Sequence, residues 1–241
     1  MAILRAVLLD IDGTLVDSND AHAQAWVDAL AQFGHCVAFE RMRCLIGMGA
    51  DKLLAKAAGI DRHSTLGQRL EALRSELFER EHLPRLKAFP GAQELLGRLH
   101  EAGHALVAAT SAKTREVDAL LDICGARELV QLRASSDDAD RSKPDPDIVR
   151  AALARARVAP EAALMLGDTP YDIEAASRSG VRSVALRCGG WGDWALHGAL
   201  AIYDDTADLL ARIEQSPFVA RAALAEPRAA PDPATEDVRR A

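Results

Sequence analysis

The chain has 241 residues, more than one domain of ~150 residues and fewer than two. Its 49% apolar content is that of a globular protein and excludes wholesale disorder. The formal net charge of −7 argues against a nucleic-acid binder that works by neutralising phosphates, and 5 Lys against 24 Arg makes the place of each lysine informative. No apolar run approaches the ~20 residues of a membrane span, and the apolar N-terminus, broken by Arg5 and Asp10, is a poor signal peptide. Cys36, Cys44, Cys124 and Cys188 are scattered and read as small buried apolar residues in a reducing compartment. The expectation is a soluble cytoplasmic protein with no membrane and no nucleic-acid partner. Oligomeric state leaves no mark in the sequence.

In chain order, residues 3–9 form a short apolar run suited to a strand buried on both faces of a parallel sheet. It stops at Asp10, Asp12, Asp17 and Asp20. Asp20 reads as the N-cap of a helix that presents Ala21, Ala25, Trp26, Ala29, Leu30 and Phe33 on one face and closes at Gly34. From there to about residue 86 the pattern is helical throughout, with Leu66, Leu70, Leu73 and Leu77 setting the spacing.

After Pro90-Gly91 strands and helices alternate. A helix carrying Leu95, Leu96 and Leu99 ends at Gly103, and a strand at 105–109 ends at Thr110-Ser111. A helix carrying Val117, Leu120 and Leu121 follows, then a weak strand at 129–133 and a helix carrying Ile148, Val149, Ala152 and Leu153. A strand at 163–166 ends at Gly167-Asp168, a helix runs to about 179, a strand covers 181–186, and Leu209, Leu210 and Ile213 mark a last helix. This alternation predicts an α/β fold: a three-layer, Rossmann-like parallel sheet with helices on both faces. Residues 1–16 and 87–215 would be its core, about 145 residues. Residues 17–86 would be an all-helical insert, and residues 216–241 a disordered tail.

In such a sheet, ligands bind outside the carboxyl ends of the strands. Asp10-Ile11-Asp12, Thr110-Ser111 and Gly167-Asp168 end strands, and Lys143-Pro144 precedes a helix. Two carboxylates two apart at a strand end leave on one side and repel unless a cation or a proton intervenes. With Asp168 they form a hard oxygen set that suits Mg²⁺. The Lys143 ammonium and the Thr110 hydroxyl would face an anionic group, an arrangement suited to phosphoryl transfer.

The run Asp10-Ile11-Asp12-Gly13-Thr14-Leu15-Val16-Asp17-Ser18 resembles the signature of the haloacid dehalogenase superfamily of phosphatases and phosphomutases. Thr110, Lys143-Pro144 and Gly167-Asp168-Thr169-Pro170-Tyr171-Asp172 resemble its other three motifs, in order, and the helical insert resembles its C1-type cap. The resemblance implies that Asp10 attacks phosphorus, that Asp12 is the general acid and base, and that Thr110 and Lys143 hold the phosphoryl group. It implies Mg²⁺ on the carboxylates of Asp10 and Asp168 and on the backbone carbonyl of Asp12. Asp172 would stand behind them, orienting Lys143 or a metal-bound water. Gly13, Thr14 and Ser111 fall in the phosphate-binding motifs, and Thr14 would position the neighbouring loop. His22, at the start of the cap, would either touch the substrate or be a packed or solvated histidine.

The substrate so implied is a small soluble phosphate monoester. One alternative is a β-phosphoglucomutase-type mutase, but its cap arginine is replaced by Ala50, leaving Lys52 or Arg43 as substitutes. A catalytically silent module on the same fold is the alternative of another class. A haloacid dehalogenase would not need the second aspartate. Three further features read as structural. His100-Glu101-Ala102-Gly103-His104 matches a zinc-protease pattern, but Gly103 breaks the helix between its histidines. Asp137, Asp138 and Asp140 read as a solvated loop, and Trp191 and Trp194 as packing residues near the sheet edge. Gly47-Met48-Gly49 reads as a cap loop facing the active site.

Overall fold

Ala6 and Leu8 pack into one apolar cluster, Val7 and Leu9 into another, and all four are fully buried, so the first strand is covered on both faces. In a computed structural model, which describes residues 3–219, this strand lies inside a single parallel sheet. The strands are β1 (Ala6–Leu9), β2 (Ala105–Ala109), β3 (Leu132–Ala134), β4 (Ala163–Gly167), β5 (Arg182–Leu186) and β6 (Ala201–Tyr203). Their order is β3-β2-β1-β4-β5-β6, every neighbouring pair parallel. The chain leaves β1 for β2 on one side and later crosses to β4 on the other. The order therefore reverses at β1, and a crevice opens beyond its carboxyl end.

Between β1 and β2 lie α1 (Asn19–Gln32), α2 (Phe39–Arg43), α3 (Ala50–Ala58), α4 (Thr65–Leu77) and α5 (Ala92–Glu101). Helix α5 covers the sheet through Leu95, Leu96 and Leu99. Helices α1 to α4 instead gather their apolar faces, Trp26, Leu30, Leu54, Leu70 and Leu77 among them, into a cluster of their own. The remaining helices are α6 (Thr114–Ile123), α7 (Asp147–Ala156), α8 (Pro170–Arg178) and α9 (Thr206–Ala211).

The expected parallel α/β sheet is present, with several local differences. The first strand is shorter than residues 3–9, and the weak strand at 129–133 is shifted to β3. The sequence pattern missed β6, three edge residues too few to show a period. Helix α1 begins after Ser18 rather than Asp20, and the Ser18 hydroxyl makes no cap; it donates to Asp12 Oδ1 at 2.6 Å. Residues 216–219, expected to belong to the tail, include packed side chains. Ser216 and Phe218 are buried, and the Phe218 carbonyl accepts from His104 Nε2 at 3.1 Å. The tail beyond residue 219 lies outside the described residues.

Trp194 is 66% exposed rather than packed, whereas Trp191 meets Tyr171 edge-on at 6.0 Å. Of the cysteines only Cys124 is fully buried; Cys188 is half-buried, and Cys36 and Cys44 are exposed. His100 is exposed on α5 while His104 is buried beyond Gly103 (φ 88°), so the two imidazoles do diverge. Asp138 and Asp140 are exposed, though Asp138 Oδ2 also accepts from the Ser135 backbone at 3.0 Å.

Candidate active site

The carboxyl ends of β1 and β4 bring Asp10 and Asp168 together, and the loop before α7 inserts Lys143 between them and α8. Lys143 Nζ lies 2.5 Å from Asp10 Oδ1 and 2.7 Å from Asp172 Oδ1, and all three side chains are buried. Burial works against the ammonium, but the two carboxylates outweigh it and hold the Lys143 pKa above the ordinary lysine range. Asp172 has a second task. In the first turn of α8 its Oδ2 accepts from Thr169 N at 3.0 Å while Thr169 Oγ1 accepts from Asp172 N at 3.3 Å, a capping box. One carboxylate thus fixes the helix start and aims the lysine.

Asp168 is held by the first motif. Thr14 Oγ1 donates to its Oδ1 at 2.8 Å and Asn19 Nδ2 to its Oδ2 at 2.9 Å. Gly13 is required here. Its φ is 77°, and a Cβ would come within 1.9 Å of Asn19 Nδ2 and 2.4 Å of Asp168 Oδ2. Burial, with Asp172 adding repulsion, pushes the Asp168 pKa up to about 7 against the hydrogen bonds from Thr14 and Asn19. Burial also raises Asp10 well above the usual carboxylate range, with Lys143 opposing.

Those shifts have one cause that bears on a metal. Asp10, Asp168 and Asp172 each offer an oxygen within 4.8 Å of the others, and all three are buried. Once all three carboxylates are ionised, one ammonium leaves two negative charges without a counter-ion, and Asn19 Oδ1 is a buried acceptor without a partner. The donor set is all hard oxygen and its missing charge is that of one divalent cation, so the residues fit such an ion. The Asp12 carboxylate is outside this cluster.

Asp12 faces the other way. Its Oδ1 accepts from Ser18 at 2.6 Å and lies 2.7 Å from His22 Nε2. The other ring nitrogen, Nδ1, faces Arg74 Nη2. A guanidinium only donates, so Nδ1 accepts and the imidazole proton sits on Nε2, aimed at Asp12. His22 stacks on Phe78 at 4.0 Å, which fixes the ring. Burial pushes Asp12 up, but His22, Ser18 and the Arg74 guanidinium outweigh it and hold its pKa below the ordinary value.

Thr110, Ser111, Asp10, Asp12 and His22 line one cleft. Gly47, Met48, Gly49 and Ala50 of the helical insert line its opposite wall. Thr110 Oγ1 accepts from Ala112 N at 3.1 Å, shaping the loop after β2, and Ser111 Oγ donates to Gly47 O at 3.3 Å across the cleft. Thr14 holds Asp168 rather than its own loop. Lys52 and Arg43 do not stand in for an arginine at Ala50. Lys52 pairs with Asp145 at 2.7 Å, and Arg43 with Asp20 at 2.5 Å and with Gly189 O at 2.6 Å, and neither lines the cleft.

Sequence reasoning missed Asn19, Arg74 and Glu116. Arg74 carried a signal: it stands four residues after Leu70 and three before Leu77, a charge on the apolar stripe of α4. Glu116 carried none, being one acid among several in a helix first turn.

Residues 7–186 match the family described as haloacid dehalogenase-like hydrolases. The chain belongs to this family. Similar family members include a phosphoglycolate phosphatase of Rhodospirillum rubrum, 32% identical over 214 residues, covering 85% of this chain and 89% of that protein. An N-acetylmuramic acid 6-phosphate phosphatase of Pseudomonas aeruginosa is 30% identical over 190 residues, covering 77% and 83%. Among solved structures, a hydrolase from Pseudomonas syringae superposes with a TM-score of 0.82 at 29% identity, covering 88% of this chain and 98% of that one. As a haloacid dehalogenase-like hydrolase, the chain is an enzyme, a phosphoric monoester hydrolase.

Proposed function

We propose that the protein is a Mg²⁺-dependent phosphatase that hydrolyses a small phosphate monoester through an aspartyl-phosphate on Asp10. The observation that carries this reading is the pairing of two unlike carboxylates at one cleft. Asp10 is tied to Lys143 and Asp12 to His22, so neighbouring groups of the same type are set up for different tasks. The phosphatase names of the relatives support the reading.

Asp10 attacks phosphorus, the P–O bond to the leaving group breaks, and the departing oxygen takes a proton from Asp12. The incoming phosphate adds negative charge beside Asp12 and favours its protonated form for this step. Water then attacks phosphorus, Asp12 takes its proton, and Asp10 is released with inorganic phosphate. Lys143 and Thr110 hold the phosphoryl oxygens, and Asp172 keeps Lys143 in line. Asp10 and Asp168 would hold Mg²⁺ with the Asp12 carbonyl, and the ion when bound supplies positive charge to the phosphoryl oxygens. Residues 1–16 and 87–215 act as the core and residues 17–86 as a cap that excludes bulk water.

Neither a grip for a second phosphate at Ala50 nor a substitute from Lys52 or Arg43 is offered to the cleft, which favours phosphatase over mutase. The test is phosphate release from a panel of monoesters before and after chelation. Release that returns only with Mg²⁺ is expected, and Asp10→Asn should lower kcat by at least about three orders of magnitude while circular dichroism stays native. No turnover from folded protein on any ester would favour the silent module, and an isomerised product without free phosphate would favour the mutase.

A further inference from the structure

Lys143 is delivered by an irregular loop, residues 139–146, between β3 and α7, so whatever holds this loop also places the ammonium. Downstream of the lysine the hold comes from α8. Arg178 Nη1 donates to Asp145 Oδ1 at 3.1 Å and to Pro144 O at 3.5 Å. Upstream it comes from the insert. Ser142, the residue before Lys143, is gripped at three atoms by the first turn of α3. Its hydroxyl donates to Asp51 Oδ1, its backbone N–H donates to Asp51 Oδ2 at 3.4 Å, and its carbonyl accepts from Lys52 Nζ. Lys52 also pairs with Asp145 Oδ2 at 2.7 Å, so it braces the loop on both sides of Lys143. Gly49 at the start of α3 makes this approach possible, since a Cβ there would overlap the Ser142 side chain.

The grip has leverage on the chemistry. Consecutive Cα atoms are ~3.8 Å apart, so a shift at Ser142 is passed on to Lys143. The far end of that lysine is buried between Asp10 and Asp172. In such a place a misplacement of ~1 Å can cost about a hundredfold in rate. The charges of Asp51 and Lys52 are engaged by the loop and by each other, at 3.8 Å, rather than left free for a substrate.

We infer that Asp51 and Lys52 are positioning residues for the reaction. They set Lys143 through Ser142, and the lysine is aligned with Asp10 only while α3 is seated on the loop. This rests on the phosphoryl-holding role given to Lys143 under the phosphatase reading above. It makes the insert a part of the machinery that places the phosphoryl group. Asp51 and Ser142 also line the cleft, so the competing account is a direct contact with the leaving group.

The test uses the full chain with Mg²⁺. Asp51→Ala should lower kcat/KM at least about tenfold, by one common factor for p-nitrophenyl phosphate, glycerol phosphate and a hexose 6-phosphate, because these esters share only the phosphoryl group. Asp51→Asn, which keeps a carbonyl for the Ser142 hydroxyl, should recover most of the loss. Ser142→Ala should resemble Asp51→Ala, and the double variant should be little worse than either, since both break one link. A second readout is labelling by an amine-reactive ester, followed by peptide mass spectrometry. Lys143 should label at least about tenfold faster in Asp51→Ala than in the wild type, with the exposed Lys113 unchanged as internal control. Losses that differ from ester to ester, additive losses in the double variant, Lys143 labelling at the wild-type rate, or faster labelling with kcat/KM unchanged would each overturn the inference alone. If Asp51→Ala does not fold, Ser142→Ala carries both readouts. Absence of phosphate release by the wild type would sink the phosphatase reading and take this inference with it.

Discussion

Lys143 is one of 5 lysines in the chain and lies fully buried between two carboxylates, where a single cation is asked to balance Asp10, Asp172 and, across the cluster, Asp168. The shortfall of positive charge sets a pH dependence. Asp168, pushed up to about 7 from 3.8, carries a proton in the folded chain through a window where the unfolded chain has lost it. Its contribution to stability is present below pH 3.8 and is lost as pH rises through about 7. A divalent cation must displace that proton below pH 7 and meets a ready carboxylate above it. The rise in Tm on adding millimolar MgCl₂ to chelator-treated protein should therefore be larger at about pH 8 than at about pH 5.5. Equal rises at the two values would contradict this account of the cluster. Asp12, held low by its partners, needs no such help to ionise.

At the scale of elements, the site depends on where β1 and β4 stop and on the turn that follows β1. Ile11 O accepts from both Leu15 N at 2.9 Å and Val16 N at 3.1 Å, and this tight turn returns Thr14 to Asp168. Gly13 makes the turn possible. Gly13→Ala should cost about 1–3 kcal/mol, from strain at positive φ and a displaced Asp168. It should also weaken Mg²⁺ binding, measured by urea denaturation and calorimetric titration, and an unchanged metal affinity would show that Asp168 does not depend on this turn. Asp10, Thr110 and Asp168 were readable because each stands at the end of an apolar run, and a run that stops at Asp or Thr marks a strand end without any partner strand being known. Arg74 and Glu116 were not readable as a pair. They stand 42 residues apart on helices α4 and α6, and only packing joins them.

For the whole molecule, the insert has its own apolar cluster and meets the sheet through polar contacts such as Lys52–Asp145, Arg43–Gly189 and Tyr171–Cys44. Apolar burial holds each part together, while directional hydrogen bonds and ion pairs make many of the contacts between them. Leu54 is fully buried in the insert's cluster. Leu54→Ala should cost about 2–5 kcal/mol of the insert's stability. Hydrogen exchange should then show α1, α3 and α4 losing protection ahead of β1, β2 and β4. Simultaneous loss in both regions would mean that insert and sheet unfold as one unit. The length that exceeds one domain and falls short of two is explained by this arrangement, a sheet with a helical insert after its first strand.

The sequence by itself determined the parallel α/β class, the ends of the main strands and the aspartates, threonine and lysine that meet there. Those features are local: runs of apolar residues, their period and the polar residue that stops each one. Only the tertiary structure decided that Asp12 turns to His22 while Asp10 turns to Lys143, that Asp172 joins the buried acidic cluster and that Lys52 and Arg43 are taken up elsewhere. Those outcomes depend on which charged groups are brought within hydrogen-bond reach across the fold. The net charge of −7 follows the same division. Its sign argued against nucleic acid from composition alone, but the local shortage of positive charge, three buried carboxylates against one lysine, emerged only from the packing of β1, β4, α8 and the loop before α7.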